Sequence, residues 1–365
     1  MIPQYEPVFN RNSLSIEMYK YCQSDTWITE FQKTKEFEAK IKQTVNSDYA
    51  ICVNNGTISL SLALLAEGIK AGDFVLVPAL SMIATANAIR FIGAIPIFED
   101  IEDSHLCLDL DRAEKMVKEY PGIKAVIYVS LNGRSHNAIA LKKFYDICQE
   151  CGVAFIEDAA QSFGSDRMGK RIGGDDWLTS FSFSPAKIIT TGQGGCLTTN
   201  DKEKALKIKR LKDFGRESGG GDIHDYFGVN AKFTDVQAVV GLEQIKDIEQ
   251  KIQMKKKIFD IYRNELETYC EMLVPNPNVT PWFVDGYFPL VNELAAYLER
   301  NDIKTRRVYP PMTSQTIYQP NTVEVPVAEK YSERGLWLPS SLNLTKKQIL
   351  DICKHIKDFY FERWV

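Results

Sequence analysis

The chain has 365 residues, of which 44% are apolar and 25% charged, with a formal net charge of −4. That length supports a large core and two lobes, and the slight acidity argues against a broad nucleic-acid-binding face. No apolar run reaches the length that spans a bilayer, and the start MIPQYEPVFNRN lacks the apolar stretch of a signal peptide, so the expected location is the cytoplasm, with no membrane or nucleic-acid partner.

In chain order, residues 1–30 read as a lead-in segment with a short helix over Leu14–Ser24. Phe31–Val45 is amphipathic and predicts a helix, and Tyr49–Val53 a short strand. Asn54-Asn55-Gly56 is a turn, and Thr57–Ile69 is helical, with Ile58, Leu62, Leu65 and Ile69 on one face. Strands are predicted at Phe74–Pro78, Pro96–Phe98, Ala125–Ser130, Val153–Glu157, Thr179–Phe183 and Gly195–Thr199. Helices are predicted at Ile83–Ile92, Leu110–Glu119, Ile139–Cys151 and Lys202–Phe214. This alternation of apolar strands with helices predicts an α/β fold: a largely parallel sheet with helices on both faces. Gly219–Gly221 marks a flexible loop, and helical patterns follow at Thr234–Ile245 and Glu249–Tyr269. The run Lys255-Lys256-Lys257 reads as a solvated helix face. A breaker, Pro275-Asn276-Pro277, comes next, and the lobe boundary is placed near residue 250: a large α/β domain over 1–250 and a small C-terminal domain over 251–365. The second lobe reads as a strand-like run Phe283–Leu290, helix Val291–Asn301, a Pro- and Thr-rich loop, helix Val327–Gly335 and helix Lys346–Phe361.

Eight cysteines in a chain this long do not form a disulfide framework. Cys148 and Cys151 make a C-x-x-C at a helix end stopped by Gly152, with no second pair. The four histidines, His105, His136, His224 and His355, are scattered along the chain, and no metal site is expected.

The stretch with most chemistry is Phe181–Gly195, FSFSPAKIITTGQGG. Lys187 lies between two strand-like runs, where desolvation lowers the pKa of an amine, and a neutral lysine amine can form a Schiff base. Asp158 ends an apolar strand 29 residues earlier, where ligands of open α/β sheets bind. Gly56 and Thr57 start a helix, whose free amides attract phosphate. A lysine for the aldehyde, an acid for the pyridine nitrogen and an anion cup for the phosphate are what pyridoxal phosphate requires.

With EDAAQ at 157–161, SFSPAK…TGQGG at 182–195 and GVNAKFTDVQAVVGL at 228–242, the chain resembles the pyridoxal-phosphate-dependent sugar-nucleotide aminotransferases of the perosamine-synthase-like type, from about Phe31 to Ile356. The resemblance implies the aspartate-aminotransferase-like (fold type I) architecture: a mostly parallel seven-stranded sheet with one reversed strand, plus a smaller C-terminal α+β domain. It implies that Gly56, Thr57 and Ser182 hold the cofactor phosphate, and that Gln161 contacts the ring oxygen. Met82 stands where the family usually stacks an aromatic residue on the ring. Asn230 matches an asparagine that crosses a two-fold homodimer to the partner's cofactor phosphate, although Lys232 replaces the usual arginine two positions on. Arg306, Arg307 and Tyr309 lie in a segment similar to the sugar-nucleotide loop. Arg134 could meet a carboxylate or diphosphate, or lie at the surface. The implied activity is transfer of an amino group from glutamate to a nucleotide-linked keto-deoxysugar, foremost a 4-keto-6-deoxyhexose. Amination at C3 is the alternative. A 3-dehydratase would carry histidine in place of Lys187, and a nicotinamide oxidoreductase would need a G-x-G-x-x-G after a strand. The intact set of Asp158, Gln161, Ser182 and Lys187 does not support a binding protein that has lost turnover.

Overall fold

The computed structural model describes residues 1–24, 27–217, 224–273, 278–320 and 323–364. The predicted glycine loop at 219–221 and the breaker at 275–277 lie outside the described residues. The chain opens with α1 (Arg11–Cys22) and α2 (Gln32–Val45). β1 (Tyr49–Val53) then leads into α3 (Gly56–Ala66). Strand and helix alternate through β2 (Phe74–Pro78), α4 (Ala84–Phe91), β3 (Ile95–Glu99), α5 (Leu110–Glu119), β4 (Ile123–Val129), α6 (Ala138–Glu150) and β5 (Ala154–Asp158). A small hairpin, β6 (Asp166–Arg167) and β7 (Lys170–Arg171), precedes β8 (Leu178–Ser182) and β9 (Gly195–Thr199). After α7 (Lys202–Lys212), α8 (Asp235–Ile245) and α9 (Ile248–Leu266) come β10 (Val284–Tyr287), α10 (Val291–Arg300), β11 (Arg306–Arg307), α11 (Pro326–Arg334), β12 (Gly335–Leu338) and α12 (Lys346–Trp364).

Periodicity places the long elements to within three residues of these bounds. It misses β6, β7, β11 and β12. The first three are two residues long and carry no period, and β12 follows α11 at Gly335 without an intervening turn. Thr234 caps α8, as its sequence allows, through a 3.3 Å bond from Gln237 N. Asp235 does something else: its buried carboxylate accepts from Phe31 N, Lys33 N and Thr34 N and so caps α2, which has no cap of its own.

The main sheet has seven strands in the order β1-β9-β8-β5-β4-β2-β3. Every pair is parallel except those of β9, which runs antiparallel to both β1 and β8. The turn from β8 back to β9 needs no crossover helix, because the two strands are antiparallel neighbours. That turn contains Lys187.

Side chains alternate across the sheet. Ile51, Val77, Ile127, Ile156 and Leu197 pack one face against Leu60 and Leu64 of α3, Ile89 of α4 and Ile208 of α7. On the other face, Leu76, Val126, Tyr128 and Phe155 meet α5 and α6. There too, Cys52, Phe181 and Cys196 meet Phe37 and Ile41 of α2. The second core is built from α9, α10, β12 and α12 around a three-stranded sheet, β10-β12-β11. α9 serves both cores: Ile248 and Ile252 belong to the first, and Ile258, Phe259, Tyr262 and Leu266 to the second.

Three sequence expectations are corrected here. Lys255 is not on a solvated face. It is 2% exposed, and its Nζ donates to the carbonyls of Trp282 and Ser340, both at 2.8 Å. Three consecutive helical positions span most of a turn, so one of them must face inward where α9 is packed on both sides. Arg134 is neither at the surface nor free for a ligand: it is buried and paired with Asp285 of β10 at 2.7 Å. Two of the four histidines are not scattered in space. His105 and His136 lie with ring centroids 4.0 Å apart, and both bond Glu102, His136 Nε2 at 3.2 Å and His105 Nε2 on the other oxygen. Among the described residues this is the one convergence of three side chains of metal-ligand type.

Burial holds the Lys255 ammonium down to about 7, against an ordinary 10.5. Between those values the unfolded chain binds the extra proton, so the stability contribution of Lys255 improves as pH rises through that window. Urea unfolding at several pH values should show the wild type gaining on Lys255→Met by up to about 1.4 kcal/mol per pH unit. Parallel pH curves would contradict a Lys255 amine that burial deprotonates in the folded state.

Candidate active site

A cavity of about 610 Å³ opens where the carboxyl ends of β1, β2, β4, β5 and β8 meet. Asn54 to Thr57 contribute from the turn after β1, Ser81, Met82 and Thr85 from the segment after β2, Val129 from the end of β4, and Asp158, Ala160 and Gln161 from the end of β5. Ser182, Ser184 and Lys187 come from the end of β8, and Gln193 from the approach to β9. Seven residues expected from the sequence, Gly56, Thr57, Met82, Asp158, Gln161, Ser182 and Lys187, therefore share one cavity.

The start of α3 forms one wall. Asn55 Oδ1 accepts from Ile58 N at 2.9 Å, while the amides of Gly56 and Thr57 have no protein acceptor among the described residues. Ser182 stands beside them so closely that a Cβ on Gly56 would lie 2.9 Å from Ser182 Cβ. A Cβ on Gly195 would lie 2.6 Å from the Asn55 carbonyl. The two glycines thus let β8, β9 and the helix start crowd together, which leaves unpaired N–H groups and a hydroxyl at the positive end of a helix, a setting suited to an anion.

Asp158 lies at the cavity floor, 6% exposed. Its Oδ2 accepts from Thr85 Oγ1 at 2.7 Å and its Oδ1 from Ala160 N at 3.1 Å. The single hydroxyl proton of Thr85 is spent on the carboxylate, so Ser81 Oγ, 3.0 Å away, donates to Thr85. Burial raises the Asp158 pKa, and the Thr85 hydroxyl, the Ala160 amide and the charge of Lys187 oppose that rise. Its neighbour Glu157 points the other way, into a bond with Trp177 Nε1 at 2.9 Å and an ion pair with Arg167. Strand alternation thus assigns one acid to the site and the other to the core.

Gln161 Oε1 accepts from Asn132 N at 2.8 Å. That bond fixes which end of the amide is oxygen, and leaves the Nε2 group as the donor for the cavity. Asn132 is in turn gripped by Phe283, whose amide donates to Asn132 Oδ1 at 2.8 Å and whose carbonyl accepts from Asn132 Nδ2 at 3.0 Å. Neither Thr85 nor Asn132 was singled out from sequence, because a threonine in a helix and an asparagine in a turn carry no signal until their partners are known.

Burial lowers the Lys187 amine to about 8, with Asp158 opposing the shift and Arg306 adding to it. Met82 lines the cavity, is 45% exposed, and its sulfur accepts from Ala84 N at 3.0 Å. Four other expected residues lie outside the lining. Arg306 sits with its guanidinium 5.3 Å from the Trp337 ring and 5.7 Å from that of Tyr309. Tyr309 is partly buried and packs on Trp337. Arg307 is bonded to the carbonyls of Ser332, Glu333 and Gly335 and to Asn292, so it holds the end of α11. Asn230 is exposed, its backbone bridges that of Asp213, and it is not among the residues lining the cavity of its own chain. Lys232 pairs with Asp213 at 2.6 Å. No helix of the described residues is long and apolar enough to cross a membrane.

Residues 11–357 match the sequence profile of the DegT/DnrJ/EryC1/StrS aminotransferase family. The chain is 32% identical over 368 residues to a GDP-perosamine synthase of Escherichia coli O157:H7, covering 99% of each chain. It is 31% identical over 371 residues to one of Vibrio cholerae, again covering 99% of each. Among solved structures it is similar to S. venezuelae DesV in complex with a ketimine intermediate, at 26% identity and a TM-score of 0.89, covering 96% of this chain and 94% of that one.

Thr85→Val keeps the shape of the side chain and removes the donor to a buried carboxylate. Hydrogen bonds to charged groups contribute about 1.5–3 kcal/mol, so spectral titration should show pyridoxal phosphate bound roughly tenfold to a hundredfold more weakly. Unchanged affinity would reduce Thr85 to a packing residue.

Proposed function

This chain belongs to the DegT/DnrJ/EryC1/StrS aminotransferase family, and on that premise we propose that it moves the amino group of glutamate to a nucleotide-linked 4-keto-6-deoxyhexose. It is a pyridoxal-phosphate-dependent aminotransferase. The cavity fits that cofactor: unpaired amides and a hydroxyl for a phosphate, a buried carboxylate for a ring nitrogen, and an amine with a lowered pKa between them. When bound, the cofactor supplies a carbonyl for amine exchange and a ring that accepts the electrons left when a Cα–H bond is broken.

The protein's own groups do the rest. The amides of Gly56 and Thr57 and the hydroxyls of Thr57 and Ser182 would hold the phosphate. Asp158 would keep a proton on the ring nitrogen, and Gln161 Nε2 would donate to the ring oxygen. Lys187 Nζ anchors the cofactor, and once displaced it takes the proton from the Cα of glutamate. In the second half of the cycle it returns a proton to the sugar carbon that was the ketone. An amine with a pKa near 8 serves as both acid and base close to neutrality. Arg306 and Tyr309 are the proposed contacts of the sugar nucleotide, on the resemblance of their segment alone, whereas Arg307 is committed to α11.

The observation that carries the choice of sugar is the identity of about a third to two GDP-perosamine synthases along nearly the whole of both chains. Incubation of a panel of nucleotide-linked keto-sugars with glutamate, read by mass and NMR, should give a 4-amino product and 2-oxoglutarate, with a GDP-linked sugar foremost. Amination at C3 would overturn the 4-keto assignment, and loss of a sugar hydroxyl would mark a dehydratase. Lys187→Ala should lower turnover by roughly 10²–10⁴ or more while the protein still binds the cofactor.

The exposed position of Asn230 supports a site shared across a two-fold dimer, with Asn230 reaching the phosphate cup of the partner. Lys187→Ala and Asn230→Ala, each impaired alone, should regain activity when dissociated and mixed, since one cavity of each mixed dimer then has neither defect. Mixed dimers that form and stay inactive would place Asn230 in the service of its own chain.

A further inference from the structure

The amine of Lys187 has neither a carboxylate nor a carbonyl within hydrogen-bonding distance among the described residues. Its recorded contact is an aromatic face: Nζ lies 4.2 Å from the ring centroid of Trp282. Trp282 comes from the second lobe's side of the chain, just before β10, and is 5% exposed. Its ring is fixed on several sides. It stacks on Phe283 at 3.9 Å and 22°, and meets Trp337 edge-on at 5.5 Å. Its carbonyl accepts from Lys255 Nζ at 2.8 Å.

The same residue also holds the backbone that carries the lysine. Trp282 Nε1 donates to the carbonyl of Ala186 at 2.6 Å. On the next peptide, Tyr5 Oη donates to the carbonyl of Lys187 at 3.0 Å. Tyr5 is fixed by its own segment, since Ser340 N donates to the Gln4 carbonyl at 3.0 Å, and its ring lies 5.3 Å from that of Phe283. Two consecutive carbonyls at the lysine are therefore tied to one rigid aromatic cluster, while the lysine side chain itself is left untied.

We propose that the face of Trp282 is the seat of the Lys187 amine whenever that amine is not joined to the cofactor, and that Trp282 and Tyr5 fix the backbone pivot about which the side chain swings between seat and cavity. The inference rests on the reading of Lys187 as anchor and proton carrier. Displacement by the amino donor releases a lysine that must stay near the reacting carbon, keep out of the space the substrate needs, and carry a positive charge for part of the cycle. An indole face suits all three needs. It attracts an ammonium through its quadrupole, more strongly than a phenyl ring does, without forming a hydrogen bond that must be broken before the proton is given up. A carboxylate in that place would instead favour the charged form more strongly and hinder return of the proton.

The test uses cofactor-free protein, so it does not depend on the identity of the sugar. Trace acetylation with acetic anhydride across pH 6 to 11 (approximate limits chosen to bracket a lysine), with peptide mass spectrometry at residue 187, reports the pKa of that one amine. If the ring face stabilises the ammonium, removing it while keeping the site apolar lowers the pKa. Trp282→Leu should lower it by roughly half a unit to one unit, and Trp282→Phe, which keeps a weaker face, by less. Should the leucine variant fail to fold, the drop in the phenylalanine variant decides. Tyr5→Phe, which loosens the pivot but leaves the seat, should leave the labelling pKa where it was. An unchanged or raised pKa in both Trp282 variants would overturn the seat, as would a drop in Tyr5→Phe equal to that in Trp282→Leu. A wild-type protein in which Lys187 titrates as an ordinary lysine would instead sink the reading of Lys187 as a tuned amine.

Discussion

Asp158 and Lys187 place two ionisable groups of opposite sign in one cavity, both shifted by desolvation and neither paired directly to the other. Burial pushes the acid up and the amine down, and each one's charge partly offsets the other's shift. Such a pair persists only if the surrounding groups supply what water would have supplied. For Asp158 these are the Thr85 hydroxyl and the Ala160 amide. For Lys187 the contact is an aromatic face and a backbone tied at two carbonyls. The rest of the structure around the site follows from keeping those few groups in register.

Topology does the first part of that work. Five strand ends meet at the cavity, and the reversal at β9 brings the lysine turn back over the end of β8 rather than carrying it away through a crossover. The two glycines at the helix start and at β9 then allow α3, β8 and β9 to approach more closely than any side chain would permit. The C-terminal part of the chain does the next part. Phe283 grips Asn132, which orients Gln161. Asp285 pairs with Arg134, and Lys255 joins the carbonyls of Trp282 and Ser340. These polar contacts are buried and leave little freedom for the segments they join to shift without breaking a bond in a place where water cannot replace it.

Much of this was legible in the chain itself. The strands β1, β2 and β9 and helix α5 were bounded by their apolar patterns alone, and the long helices to within a turn, because burial of a continuous face imposes its own period. Asp158 and Lys187 could be named from the chemistry that strand ends offer, and Gln161 and Ser182 because the motifs that hold them resemble those of a known family. The failures have a common cause. Lys255, Arg134 and the His105–His136 pair look like ordinary polar residues, and whether they are solvated or buried depends on partners about 30 to 150 positions away. The same holds for β11 and β12, which exist as strands only because they pair with each other and β12 with β10.

The sequence by itself determined the order of the elements, which faces are apolar, and which residue types are available at the strand ends, since these follow from local propensity and periodicity. Only the tertiary structure decided which of those residues meet. It set Thr85 on Asp158, turned Gln161 by an amide of Asn132, gave Arg307 to the end of α11 rather than to the cavity, and laid the indole of Trp282 under the lysine amine. The physical reason is that a hydrogen bond or a ring contact acts over a few ångströms. The chain order of two groups says nothing of that distance until the sheet order and the packing of distant segments have set it.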